Sequence, residues 1–188
     1  HAASLTLFIE EVMETAALKY ADLDAIAVSK GPGSYTGLRI GVSTAKGLCF
    51  ALDKPLIAVG TLAMMANGFM QKHPNYGGLI CPMIDARRME VFGAIYDSEH
   101  QSTVSEQAML LDDAKWSELI TKSTVCIGNG AAKTKDLKSS HEVYYLTTNY
   151  TSMDLLFLAE KKYKREQFED LAYVGPNYLK EVYIVPSK

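Results

Sequence analysis

The stretch KGPGSYTGLRIG, residues 30–41, decides how the chain is read. Four glycines and a proline stand in twelve residues, behind the apolar run DAIAV and ahead of LRIGVSTAKGLCFAL. A glycine-rich turn between a strand and a helix brings backbone N–H groups to a helix N-terminus, which attracts anions. The first question is therefore whether the loop holds a phosphate. Its spacing fits neither common nucleotide motif. A Walker loop needs Lys and Ser/Thr after its last glycine, but Gly37 is followed by Leu38 and Arg39. The dinucleotide fingerprint needs glycines at the first, third and sixth positions. Gly31 and Gly33 fit the first two, but Thr36 stands at the sixth. Two readings stay open: a tight turn that starts a helix close to its strand, and an anion site on Gly31, Gly33 and Ser34.

Outward from the loop, the pattern is helix, strand, helix, strand, helix. Residues 4–18 place Leu5, Phe8, Ile9, Val12, Met13 and Ala16 at helical spacing. Residues 25–28 read as a buried strand, 37–52 as a helix apolar on more than one face, and 55–60 as a second strand. TLAMMANGFMQK follows as a helix. This order predicts an α/β arrangement with a parallel pair and right-handed crossovers. HPNYGG, residues 73–78, carries turn chemistry and marks the expected boundary between a unit at 1–75 and another at 76–188. Beyond it, LICPMID and MEVFGAIYD read as strands joined through ARR, with further strands at STVSEQAML, TVCIGNG and EVYYLT. SMDLLFLAEKKYK reads as a helix capped by Ser152. Strand, glycine turn and helix recur at 124–138, and GNGA offers Gly128 and Gly130 as a second phosphate loop.

The 188 residues carry a net charge of −3, with 48% apolar and 22% charged residues. Such a composition suits a folded domain and disfavours autonomous nucleic-acid binding, which rests on a basic face. Cys49, Cys81 and Cys126 stand far apart inside apolar runs, and the four histidines have no metal-motif spacing. Buried free thiols point to a reducing, cytoplasmic setting. No apolar run reaches the ~18 residues of a membrane span. Ser34 lies in GPGSYTG rather than a nucleophile elbow, so no catalytic residue is assigned. Asp85, Arg87, Arg88 and Glu90 form the densest charge cluster between strands. It reads equally as a salt-bridged hairpin and as a site.

GPGSYTGLRIGVSTAKGLCFAL, KPLIAVGTL, IDARRMEVFGAIY, GNGA and PNYLKE, in that order, resemble the TsaB (YeaZ) family, once labelled glycoprotease or M22 peptidase homologues. The resemblance implies an actin-like, RNase H-type α/β fold in two lobes. The first lobe would lack its N-terminal strands, which in the family precede a helix led by a residue like His1, so the chain is expected to be a truncated or partly ordered form. It implies a role in making N6-threonylcarbamoyladenosine at position 37 of tRNA. The partners would be a TsaD-like sister subunit and a TsaE-like ATPase, with a homodimer when alone and tRNA met only through the complex. Laid on the sister's metal-binding histidine pair, this sequence has Thr61 and Met65, so no metal is assigned and the chain reads as a non-catalytic scaffold. The docking face is expected on Leu5, Phe8, Val12, Leu38, Arg39, Val42 and Ala45. An adenine nucleotide at a shared interface stays open, as do the alternatives of a nucleotide-binding actin-like ATPase and a peptidase.

Overall fold

In a computed structural model, which describes residues 2–147 and 150–180, strand β1 (Ile26–Ser29) pairs in parallel with β2 (Leu56–Val59). The connection between them is helix α2 (Tyr35–Leu52), the crossover a parallel pair requires. All four residues of β2 are buried. A strand buried on both faces needs a cover on each. Leu56 packs with Ala45 and Cys49 of α2. Ile57 and Val59 point the other way, to Met64 of α3 (Thr61–Lys72) and to Leu155 and Ala159 of α5 (Ser152–Lys164). Helix α1 (Ala2–Thr15) packs against α2.

The α5 contacts correct the expected division of the chain. His1–Tyr76 and Asn149–Asn177 form one compact unit, and Gly77–Thr148 with Tyr178–Lys188 another. Residues 149–177 therefore leave the expected 76–188 segment, because α5 supplies the second cover of β2. Its cap differs too. Thr151, not Ser152, is the N-cap: its Oγ1 accepts from the Met153 N–H at 3.3 Å, and its own N–H donates to Asp154 Oδ2 at 2.7 Å. Asp154, three residues on, closes this reciprocal box, which Ser152 could not. Asp154 also takes Lys72 Nζ at 2.9 Å.

The second unit holds a five-stranded mixed sheet in the order β5-β4-β3-β6-β7. Strands β3 (Leu79–Asp85), β4 (Glu90–Tyr96) and β5 (Ser102–Leu110) form an antiparallel meander, and β6 (Thr124–Ile127) and β7 (Val143–Leu146) add in parallel. Its core gathers Met83, Val91, Ile95, Met109 and Cys126 with Trp116 of α4 (Asp113–Leu119). The glycine turn at 128–130 leads into a four-residue 3₁₀ turn, Ala131–Thr134, rather than an α-helix. No helix among the described residues is long and apolar enough to cross a membrane.

Candidate functional site

The glycine loop is closed on its own chain. Gly31 sits at φ 112°, outside the range side chains readily adopt, and a Cβ there would lie 2.7 Å from the carbonyl oxygen of Asn177. Asn177 N–H donates to Lys30 O at 2.6 Å, and Thr61 N–H donates to Gly31 O at 2.8 Å. The returning segment is fastened earlier as well: Glu169 N–H donates to Leu56 O at 2.9 Å, and its carboxylate pairs with Lys30 Nζ at 3.2 Å. The space beside Gly31 is thus filled by polypeptide. Gly33 is half-buried against Leu38, and Ser34 caps α2 by accepting from the Gly37 N–H at 3.4 Å. The glycine is needed at 31 for close approach of the tail.

The second glycine turn, in the other unit, works the same way. Gly130 N–H donates to Met83 O at 3.1 Å, and a Cβ on Gly130 would meet the Ile84 carbonyl carbon at 2.9 Å. Asn129 Oδ1 accepts from the Asp85 N–H at 2.9 Å. Gly128, at φ 94°, turns the chain into this contact. The turn therefore pins the end of β3 and spends the Gly130 N–H there, so it does not present that group to a phosphate.

The seven residues expected on a docking face separate by exposure. Val42 and Ala45 are 2% and 5% exposed and belong to the core of the first unit, because that side of α2 covers the β1–β2 pair. Both leave the docking face. Leu38 is half-buried and seats the loop glycines. Leu5 lies on the half-covered α1 stripe of Leu5, Ile9 and Met13, one helical turn apart. Phe8 and Val12 form the neighbouring stripe and, with Leu7, stand 60–65% exposed. Arg39 is exposed, its guanidinium 4.3 Å from the Tyr35 ring centroid. Phe50, missing from the expected set, is the most exposed large apolar residue of α2. Periodicity marks both stripes of α1 as apolar but does not say which one the fold covers.

Thr61 and Met65 stand in the first turns of α3. Thr61 Oγ1 shares a 2.7 Å hydrogen bond with Ser29 Oγ, and Met65 is buried. Among the described residues no three His, Cys, Asp or Glu side chains gather as a metal ion would need. The DARR segment forms the β3–β4 hairpin, where Asp85 Oδ1 takes Lys133 Nζ and the Arg87 N–H, both at 2.6 Å. The Lys133 hydrogen bond, with the Arg87 N–H behind it, holds the Asp85 carboxyl below the usual range.

The fold and site define an α/β protein of two units, each with its own sheet, in which a glycine turn is closed by the chain's own tail and an apolar helix stripe stays exposed. The chain belongs to the family described as TsaD: tRNA N6-adenosine threonylcarbamoyltransferase, whose model matches residues 1–184, and within it to the TsaB (YeaZ) group. The tRNA threonylcarbamoyladenosine biosynthesis protein TsaB of Bacillus subtilis is 44% identical over 103 residues, covering 53% of this chain and 42% of that protein. TsaB of Escherichia coli is 35% identical over 99 residues, with the same coverages of 53% and 42%. The chain thus spans less than half the length of these curated relatives. The solved structure of YeaZ from Pseudomonas aeruginosa is similar at 25% identity and a TM-score of 0.76, covering 95% of this chain and 85% of that one.

Proposed function

We propose that this chain is a non-catalytic scaffold subunit in the cytoplasmic pathway that installs N6-threonylcarbamoyladenosine at position 37 of tRNA. It pairs with a TsaD-like sister subunit, works with a TsaE-like ATPase, and forms a homodimer when alone. The observation that carries the reading is the open α1 stripe of Leu7, Phe8 and Val12. An amphipathic helix that turns bulky apolar residues to solvent presents a surface suited to burial against another protein. The non-catalytic part is supported by Thr61 and Met65, one engaged with Ser29 and the other buried, at the positions aligned with the sister's histidines. We take the two units, each with its own sheet, as the two lobes of an actin-like fold. The scaffold acts by binding the working conformation of its sister better than the idle one, since only differential affinity shifts such an equilibrium.

The test is a double substitution, Phe8→Asp with Val12→Asp, in the full-length protein. Both sites are exposed, so the thermal midpoint should stay within the small range of surface changes. Co-purification with the TsaD-like subunit and tRNA modification should both be lost. Survival of both would place the interface elsewhere. Val42 is unsuitable for this purpose, because a charge there would be buried in the core.

A further inference from the structure

The β3–β4 hairpin breaks a local rule. Arg87 and Arg88 are consecutive non-glycine residues in left-handed backbone, at φ 71° and 50°. Turns with positive φ at two successive positions favour Asn, Asp and Gly, whose side chains are absent or bond locally. Arginine brings steric cost and no such bond. The turn is held instead by its surroundings: the Arg87 N–H donates to Asp85 Oδ1, the Ala86 N–H donates to Glu90 O at 3.1 Å, and the Glu90 N–H donates to Arg87 O at 3.1 Å. Where a sequence opposes its own local geometry, function is the usual reason.

The charges around the tip give the second observation. Each acid of the hairpin is already matched by a lysine. Asp85 pairs with Lys133, which also donates to Glu90 O at 2.8 Å, and the Glu90 carboxylate pairs with Lys180. No ion pair reaches either guanidinium among the described residues. Arg87 and Arg88 are both exposed. Two adjacent positive charges thus stand outside any ion pair among the described residues, on a chain whose net charge is −3, with Arg87 only near enough to Asp85 to help hold its carboxyl down. A hairpin that balanced its own charges would pair the acids with the arginines beside them; the lysines leave the arginines available.

We propose that Arg87 and Arg88 contact the phosphodiester backbone of RNA, which under the functional reading above is the tRNA substrate. The inference rests on that reading. A guanidinium presents planar paired donors that match phosphate oxygens better than an ammonium does. Backbone contacts of this kind orient a nucleic acid without reading its sequence. They would let a scaffold with an acidic overall balance help position tRNA once its partners have bound it.

The experiment uses the full-length chain assembled with its TsaD-like and TsaE-like subunits, and a fluorescein-labelled unmodified tRNA transcript read by anisotropy across a potassium chloride series. Arg87→Gln with Arg88→Gln should weaken binding several-fold. It should also reduce the steepness of log affinity against log salt by about 1.4–1.8, the expectation for two lost phosphate contacts. Arg87→Lys with Arg88→Lys should keep most of the slope. Arg87→Asn with Arg88→Gly, which suits the turn, should raise the thermal midpoint while binding as weakly as the glutamine variant. Wild-type affinity and slope in the glutamine variant would overturn the inference. So would loss of subunit co-purification at an unchanged slope, which would assign the arginines to an acidic protein face. An arm that omits the chain separates the two claims. If modification proceeds without it, the functional reading fails. If modification needs the chain and the glutamine variant still binds tRNA normally, the arginine contact alone fails.

Discussion

Gly31→Ala should destabilise the first unit by about 2–4 kcal/mol, and Gly33→Ala by less than about 1 kcal/mol. At φ 112° Gly31 occupies backbone space that an L side chain enters only with strain, about 1–3 kcal/mol for such an outlier. The added Cβ would sit 2.7 Å from Asn177 O and 3.0 Å from Leu38 Cδ1. The leucine methyl can rotate away, but the carbonyl belongs to a backbone held by the Asn177–Lys30 hydrogen bond. Relief therefore requires the tail to lift, which forfeits that bond at about 1 kcal/mol. A Cβ on Gly33 would meet only Leu38 at 3.9 Å, ordinary van der Waals contact, and Gly33 is not at positive φ. Urea unfolding followed by far-UV circular dichroism gives the two costs. Amide hydrogen exchange at Thr61 and Asn177, whose N–H groups bond to Gly31 and Lys30, should accelerate in Gly31→Ala alone. Equal stability in the two variants would refute the reasoning. If in addition both variants abolished tRNA modification, the loop glycines would be serving the approach of a ligand rather than of the tail.

Gly47 lies on α2, where an added Cβ would meet nothing within 4 Å, so Gly47→Ala should stabilise the helix by about 1 kcal/mol in a thermal melt. Weaker pairing with the TsaD-like subunit in the same variant would mean that a partner packs close on that side, where Ser43 and Phe50 are also exposed. Asp154 is buried, which pushes its carboxyl up, but the Thr151 N–H and Lys72 outweigh this and hold it below the usual range. A depressed folded value means that its stabilisation is present above about pH 4, the unfolded range, and is lost as pH falls through the folded value. Asp154→Asn should therefore cost about 1–3 kcal/mol at neutral pH and flatten the acid limb of stability against pH. All three cysteines are buried, and a hydrogen bond with Cys126, together with burial, raises the Cys81 thiol well above its ordinary value. Ellman's reagent should find no fast-reacting thiol in the folded chain and three in urea.

Features set by neighbours in the chain were legible in the sequence. The apolar strand runs and the loop glycines specify a strand-to-helix turn, though the helix begins at Tyr35 behind a Ser34 cap rather than at 37, and the turn residues around 73–78 lie where the first run of contacts ends. Features set by the return of distant chain were not. Nothing near Gly31 in sequence says that Asn177 will lie against it, so a turn shaped to accept a tail looked like one shaped to accept a phosphate. Cys81 and Cys126 stand 45 residues apart yet face each other across β3 and β6, because parallel strands bring together segments whose separation carries no periodic signal.

The same limit explains the docking residues. Hydrophobic periodicity gives the direction of a side chain around its helix axis, but whether that direction meets a sheet or solvent depends on what else the chain supplies. On α2 the inward direction belongs to Val42, Ala45 and Cys49, since these cover the β1–β2 pair. On α1 the fold covers the Leu5, Ile9 and Met13 stripe in part and leaves Phe8 and Val12 open. A surface for a partner is thus the apolar remainder after the chain's own core has been satisfied. The arginine pair is the opposite case. Its sequence was legible but its backbone was not, because Arg-Arg gives no turn signal of its own and the positive φ values are imposed by Asp85 and the strands on either side.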